Sequence, residues 1–185
     1  MQDQPKAKYY RENSFYKDGT GSRPLVEGTV PRGFLRSDRE FYFGKKSGTT
    51  TAATSTQATP ASSTALYPDD VETFPITIDK AAIDRGQERY NIYCSVCHGM
   101  TGHGDGIVQR RGFNKPSPAN YHDDRLRQAP VGHFFDVVTN GWGAMPAMAS
   151  QIPVEDRWKI IAYIRALQLS QQAGSPAVKE GPQPK

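Results

Sequence analysis

The stretch "YCSVCHG", residues 93–99, constrains this chain more than any other. It holds Cys94 and Cys97, the only two cysteines, with His98 directly after the second. Residues three apart on a helix share a face. Both thiols can therefore meet one edge of a flat ligand. Haem presents two vinyl groups on adjacent pyrroles, and each can take up a thiol as a thioether. His98 then sets an imidazole under the iron, which is the physical sense of C-x-x-C-H as a c-type haem attachment signal. The expected cofactor is one covalent haem c held by Cys94, Cys97 and His98. Other uses of the pair account for less. A structural zinc site needs four ligands, but there is no second cysteine pair, and His103, His122 and His133 lack His-x(3–5)-His spacing. A thioredoxin-like pair expects a βαβ setting, and no strand pattern precedes it. A plain disulfide leaves His98 unexplained.

A haem iron has a sixth position to fill. The candidates are Met100, Met145, Met148, His103, His122 and His133. Met100 and His103 lie too near His98 in sequence to cross easily to the opposite face of the ring. His133 falls inside an expected helix, where a histidine is more often a surface or satisfied side chain. Met145 sits in "NGWGAMPAM", a glycine-rich loop ahead of Pro146, and such a loop can lay a thioether against a flat ring. Met145 is the first choice and Met148 the runner-up. His/Met ligation raises the reduction potential relative to two histidines and suits electron transfer. It also fills both axial positions, which argues against substrate chemistry at the iron.

The rest of the chain divides by composition. No charged residue occurs between Lys46 and Asp69, and "SGTTTAATSTQATPASSTALYP" is rich in Thr, Ser and Ala. Such a segment buries too little apolar surface to offset its ordering entropy. It is expected to be a flexible linker over 47–73. It separates an extended, partner-binding arm (1–46) from a folded domain (74–170), with a disordered tail over 171–185. The arm carries Phe15, Phe34, Phe41 and other aromatics without a sustained period of 3.6 or 2, so it is expected to order on a partner. It holds ten Lys and Arg against six Asp and Glu, whereas residues 69–170 hold eleven against twelve. Excess positive charge on the arm and a nearly neutral domain speak against nucleic-acid binding.

The domain reads as all-α. Ala82, Gly86, Tyr90, Tyr93, Cys94 and Cys97 step by three and four along one helix face, with Asp79 as N-cap. A second helix is expected from Val131 to Asn140, ended by Gly141 in the left-handed conformation. A third starts near Pro153, with Glu155 and Asp156 at the positive end of its dipole. Trp158, Ile161, Ile164 and Leu167 form its apolar stripe. No apolar run approaches the roughly 20 residues needed to span a bilayer. "MQDQPKAKYY" has no apolar h-region, so an export signal, if any, is expected upstream of Met1.

"GQERYNIYCSVCHGMTGHGDG", "PSPAN", "GWGAMP" and "DRWKIIAYIRAL" follow one another as in class I cytochrome c domains, which the segment 74–170 resembles. The resemblance implies that the first and last helices cross at Gly86, with Tyr90 and Tyr163 beside it. It implies that the Pro118 carbonyl, or that of Pro116, accepts the His98 ring N–H, and that Trp142 of "GWGAMP" lies in the cofactor site with Met145. Outside the domain, "MQDQPK", "RPLVEGTVPRG" and "FYFGK" resemble the N-terminal extension of the monohaem cytochrome c component of bacterial alternative complex III.

That resemblance implies a non-enzymatic electron-transfer component of a membrane quinol:acceptor oxidoreductase, on the periplasmic face of the inner membrane. Electrons would come from a multihaem cytochrome partner and go to an oxidase or a soluble cytochrome. The chain would be held by the complex or by an upstream lipidated cysteine. The alternatives are a free periplasmic carrier, a cytochrome subunit of another respiratory complex, and, from a different class, a small haem peroxidase with an open sixth position.

Overall fold

The computed structural model describes residues 4, 6–8, 11–47, 67–112 and 117–173. The chain forms two compact units, residues 1–36 and 37–185. In the first, the chain turns back through an isolated bridge between Glu12 and Thr20. Arg23 pairs with Asp18 at 2.6 Å and lies 4.3 Å over the Tyr16 ring. Its larger apolar side chains, Phe15, Leu25, Val26, Val30, Phe34 and Leu35, are exposed.

The second unit is helical, as expected, and no strand occurs among the described residues. Its helices are α1 (Arg39–Phe43), α2 (Lys80–Tyr93), α3 (Ser95–His98), α4 (Ile107–Arg110), α5 (Asp124–Gln128), α6 (Val131–Asn140) and α7 (Val154–Ala173). Asp79 caps α2 by accepting from the Ala82 N–H at 2.7 Å. Helix α6 has the expected bounds. Gly141 ends it with φ 82° and ψ 168°, so it takes the extended positive-φ region open to glycine, not the left-handed helical one. Helix α7 runs to Ala173, three residues into the expected tail. The remainder of that tail, residues 174–185, lies outside the described residues, as does the linker from 48 to 66.

Helices α2 and α7 cross and pack against each other. The crossing is at Gly86, as expected: a Cβ there would overlap the Lys159 carbonyl and come within 3.2 Å of the Tyr163 Cβ. Tyr90 and Tyr163 lie beside it, with ring centroids 5.3 Å apart. Gly86→Ala should therefore destabilise the domain by about 1–3 kcal/mol, as overpacking does. Denaturant melts of the two proteins check this, and an unchanged midpoint would contradict the close crossing.

The boundary between arm and domain differs from the expected one at residue 46. Helix α1 and the segment after it belong to the second unit. Trp158, fully buried on α7, stacks on Phe135 at 4.3 Å and donates its indole N–H to the Phe41 carbonyl at 2.8 Å. Residues 67–72, expected in the linker, are also built in. Val71 donates to the Gly44 carbonyl at 3.0 Å, and Gly132 donates to the Val71 carbonyl at 2.9 Å. The Lys45 ammonium meets the buried Asp70 carboxylate at 2.5 Å. The physical reason is that Trp158 has a polar N–H to satisfy as well as a large ring to cover: α1 supplies the acceptor through the Phe41 carbonyl, and α6 covers the ring through Phe135.

Candidate functional site

The cysteine motif straddles a break. Cys94 ends α2 and begins the short turn α3, with φ −107° and ψ −41°. The two thiols therefore sit on a hinge between helical turns, not on one continuous helix as expected. Both cysteines are free, Cys94 buried and Cys97 half-buried. Burial, and then the neighbouring Cys97, push the Cys94 thiol up to about 12, so it is held as the neutral thiol. The helical spacing survives the break, because the Cys97 and His98 N–H groups both donate to the Cys94 carbonyl, at 3.1 and 2.9 Å.

His98 is buried, and burial lowers its pKa, opposed by its hydrogen bond to Ala119. Its Nδ1 lies 3.1 Å from the Ala119 carbonyl. The expected acceptor was Pro118, and the structure places it one residue on. The Pro118 carbonyl instead faces Gly104, where a Cβ would come within 2.5 Å of it. Pro116 lies outside the described residues. An imidazole whose Nδ1 is committed to a carbonyl presents Nε2 as its lone pair, the form that binds a metal.

A glycine-rich loop after His98 folds back on the motif. Gly104 donates to the His98 carbonyl at 2.9 Å, Gly106 to the Cys97 carbonyl at 3.0 Å, and Tyr121 to the Gly102 carbonyl at 2.8 Å. Gly99, Gly102 and Gly104 have φ values of 77°, 82° and 80°, a conformation that glycine adopts without strain. The Tyr90 hydroxyl donates to the Gly99 carbonyl at 2.8 Å. The Tyr121 ring lies flat on His98, with centroids 4.7 Å apart and planes 18° apart.

The methionine loop is pinned separately. Trp142 and Met145 exchange backbone hydrogen bonds, 3.0 Å from the Trp142 N–H and 2.9 Å from the Met145 N–H. Gly141 lies where a Cβ would come within 2.6 Å of the Met145 carbonyl. The buried Arg157 of α7 donates to the Ile152 carbonyl, the Ala149 carbonyl and the Thr139 hydroxyl at 2.8, 2.9 and 3.1 Å. Met145 and Met148 both pack, half-buried, on the core that contains Cys94 and Tyr121. Trp142 is 56% exposed, its ring 6.5 Å from that of His133. A run of aromatic contacts joins the two loops: Tyr121 to Phe134 at 6.2 Å, Phe134 to His133 at 6.0 Å, and His133 to Trp142.

The other candidates are placed differently. Met100 is exposed. His103 and His122 lie together, rings 4.5 Å apart, and Thr101 engages both through its hydroxyl and its carbonyl. His133 is buried in α6 and stacks on Tyr67 at 4.0 Å. Burial, with Arg125 next, lowers its pKa to about 4. The folded pKa lies below the ordinary value, so the unfolded chain binds the proton more readily. Stability present at neutral pH should fall as pH drops from about 6.5 to about 4, by about 3 kcal/mol from this residue. His133→Phe should lose less stability than the native protein between pH 7 and 4.5 in denaturant titrations. Equal losses would contradict the assignment.

Sequence reasoning missed Ala119, Tyr121 and Arg157. The glycine run "GMTGHGDG" was a usable signal for the fold-back loop, and none pointed to the carbonyl at 119 or to a buried arginine. The donor set fits a covalently held haem: two free thiols at the right spacing, a neutral imidazole with one nitrogen committed, and a thioether on a pinned loop.

Residues 81–164 match the family described as cytochrome C oxidase, cbb3-type, subunit III. A search of curated proteins finds no significant match. Among solved structures, the chain is similar to a chain of the reducing HAO-like protein complex of Kuenenia stuttgartiensis. The identity is 22% and the TM-score 0.43, over 54% of this chain and 50% of that one. It is similar to cytochrome cL of Hyphomicrobium denitrificans, with 22% identity and TM-score 0.38, over 56% and 60% of the two chains. It is also similar to cytochrome cL of Methylophaga aminisulfidivorans, with 18% identity and TM-score 0.38, over 56% and 71%. The chain thus spans half the length of the first of these and less than two thirds of the second.

Proposed function

Taking residues 81–164 as the cytochrome c-type domain that their family match supports, we propose that the chain is a monohaem electron-transfer subunit. In this reading it serves a membrane quinol:acceptor oxidoreductase of the alternative complex III kind. The observation that carries the electron-transfer reading is the motif itself. Two free thiols lie beside a buried imidazole whose Nδ1 is held by the Ala119 carbonyl. Bound through those thiols, haem c supplies a one-electron ferric/ferrous couple.

The chain's own residues prepare that site. Cys94 and Cys97 give covalent attachment. The Ala119 carbonyl fixes the His98 tautomer and ring plane, as outer-shell partners of metal-bound histidines do. The Gly104 and Gly106 bonds fasten the backbone under the motif. Met145, on the loop that Gly141 and Arg157 hold and with Trp142 beside it, would hold the iron together with His98. With both residues so used no position would be left for substrate, and the chain would act as an electron carrier, not as an enzyme by itself.

Met145→Ala should abolish the long-wavelength Met–iron charge-transfer band of the ferric protein, and Met148→Ala should leave it. The reverse outcome would move the assignment to Met148. A ferric protein with no such band, before any substitution, would favour the peroxidase reading.

Residues 1–36, with their exposed apolar side chains, form the proposed docking segment for a multihaem partner. The proposed location is the periplasmic face of the inner membrane, held by the complex or by an upstream lipid anchor. Among the described residues no helix is long and apolar enough to cross a membrane. The match to a cbb3-type oxidase subunit description favours a second reading, a cytochrome subunit of another respiratory complex. Solubilising membranes and identifying the haem proteins that co-purify with the chain separates the two. Recovery with a multihaem cytochrome and a quinol-oxidising partner supports the first. Recovery with a haem–copper oxidase core alone supports the second.

A further inference from the structure

His98 is held by more than its carbonyl partner. The Tyr121 ring covers one face of the imidazole at 4.7 Å, nearly parallel. Tyr121 is in turn fixed at both ends of its backbone: its N–H donates to the Gly102 carbonyl at 2.8 Å, and its carbonyl accepts from the Gln168 amide at 2.7 Å. Gln168 lies on α7, 47 residues away in sequence, and is only 4% exposed. A buried amide costs free energy unless its polar atoms are bonded. Here the amide N–H₂ serves Tyr121, and the Oε1 accepts from Arg165 at 2.7 Å. Arg165 itself is anchored on the carbonyls of Leu126, Arg127 and Ala129. The last helix thus reaches the proximal imidazole through a bonded chain of Arg165, Gln168 and Tyr121.

We propose that Tyr121 and Gln168 are positioning residues for the iron-ligating imidazole, and that their clamp shifts the haem couple toward the ferric state. This rests on the reading of His98 as an axial ligand. Ferric iron withdraws more electron density from its imidazole than ferrous iron does, so the ring is more positive in the oxidised protein. An aromatic face is negative and favours a positive partner. The Tyr121 face therefore stabilises the oxidised form more than the reduced form.

The experiment compares holoprotein variants in equilibrium with a fixed mediator couple, with electron paramagnetic resonance of the ferric form as a second readout. Tyr121→Leu keeps an apolar cover and removes the aromatic face. The ferric-to-ferrous ratio should fall about threefold, or about 30 mV upward at 59 mV per tenfold for one electron. Tyr121→Phe keeps the face and should hold the native ratio. Gln168→Leu frees the Tyr121 carbonyl and should shift the ratio in the same direction by less, with a changed spread of g values as the imidazole plane reorients. A native ratio and native g values in both Tyr121→Leu and Gln168→Leu would overturn the proposal. So would a Tyr121→Phe shift as large as that of Tyr121→Leu. A native protein without a low-spin, imidazole-ligated spectrum would instead overturn the reading of His98 beneath it.

Discussion

Replacing Cys94 and Cys97 together with alanine should convert all of the haem in this protein to an acid–acetone-extractable form. The native haem should survive both extraction and a denaturing gel. The single variants should each retain one thioether and a shifted haemochrome band. The effect is all-or-none because the hold is covalent, and no packing contact compensates for two lost carbon–sulfur bonds. His98→Ala should separate attachment from ligation. It keeps both thiols, so haem should remain on the chain, while the loss of the imidazole should leave the iron high-spin.

Truncation at two positions should give opposite outcomes. Removing residues 1–36 takes away one compact unit. The remaining domain should keep its spectrum and melting temperature but no longer co-purify with the proposed membrane partners. Removing residues 1–46 also strips α1. Trp158 then loses the Phe41 carbonyl that accepts its indole N–H, and Asp70, 3% exposed, loses Lys45. An unpaired buried charge costs about 3–5 kcal/mol, and an unpaired buried donor about 1–3 kcal/mol. Against a typical stability of about 5–15 kcal/mol, that is enough to unfold much of the population at moderate temperature. Equal melting temperatures for the two truncations would contradict the role of α1. Stoichiometric co-purification of the shorter truncation would contradict docking through residues 1–36.

The long helices were legible because each carries several turns of apolar period and a terminus signal. The Asp79 cap appears where the residues placed it, and the Gly86 crossing where the family resemblance placed it. Helices α1, α4 and α5 have only four or five residues each. Less than two turns gives no readable period, and their existence depends on what they pack against. The arm boundary was misplaced for the same reason: nothing in "EFYFGK" says that Trp158, more than a hundred residues later, has an indole N–H to satisfy. At the site, Cys94, Cys97 and His98 stand out in the sequence through the C-x-x-C-H spacing, and the structure keeps both thiols free beside a buried imidazole. Ala119 was not, since any residue supplies a carbonyl and only the backbone path decides which one meets the imidazole. Nothing in the sequence marks Arg157 and Gln168 as buried, since long polar side chains are normally exposed. Their burial depends on carbonyls presented by distant loops.

The most direct measurement is the intact mass of the protein exported in a host that matures c-type cytochromes, taken with its pyridine haemochrome spectrum. The expected result is the mass of the chain plus one haem, with a haemochrome of the two-thioether type. A mass of the bare chain less two hydrogens, marking a Cys94–Cys97 disulfide with no haem absorbance, would contradict the account at its centre.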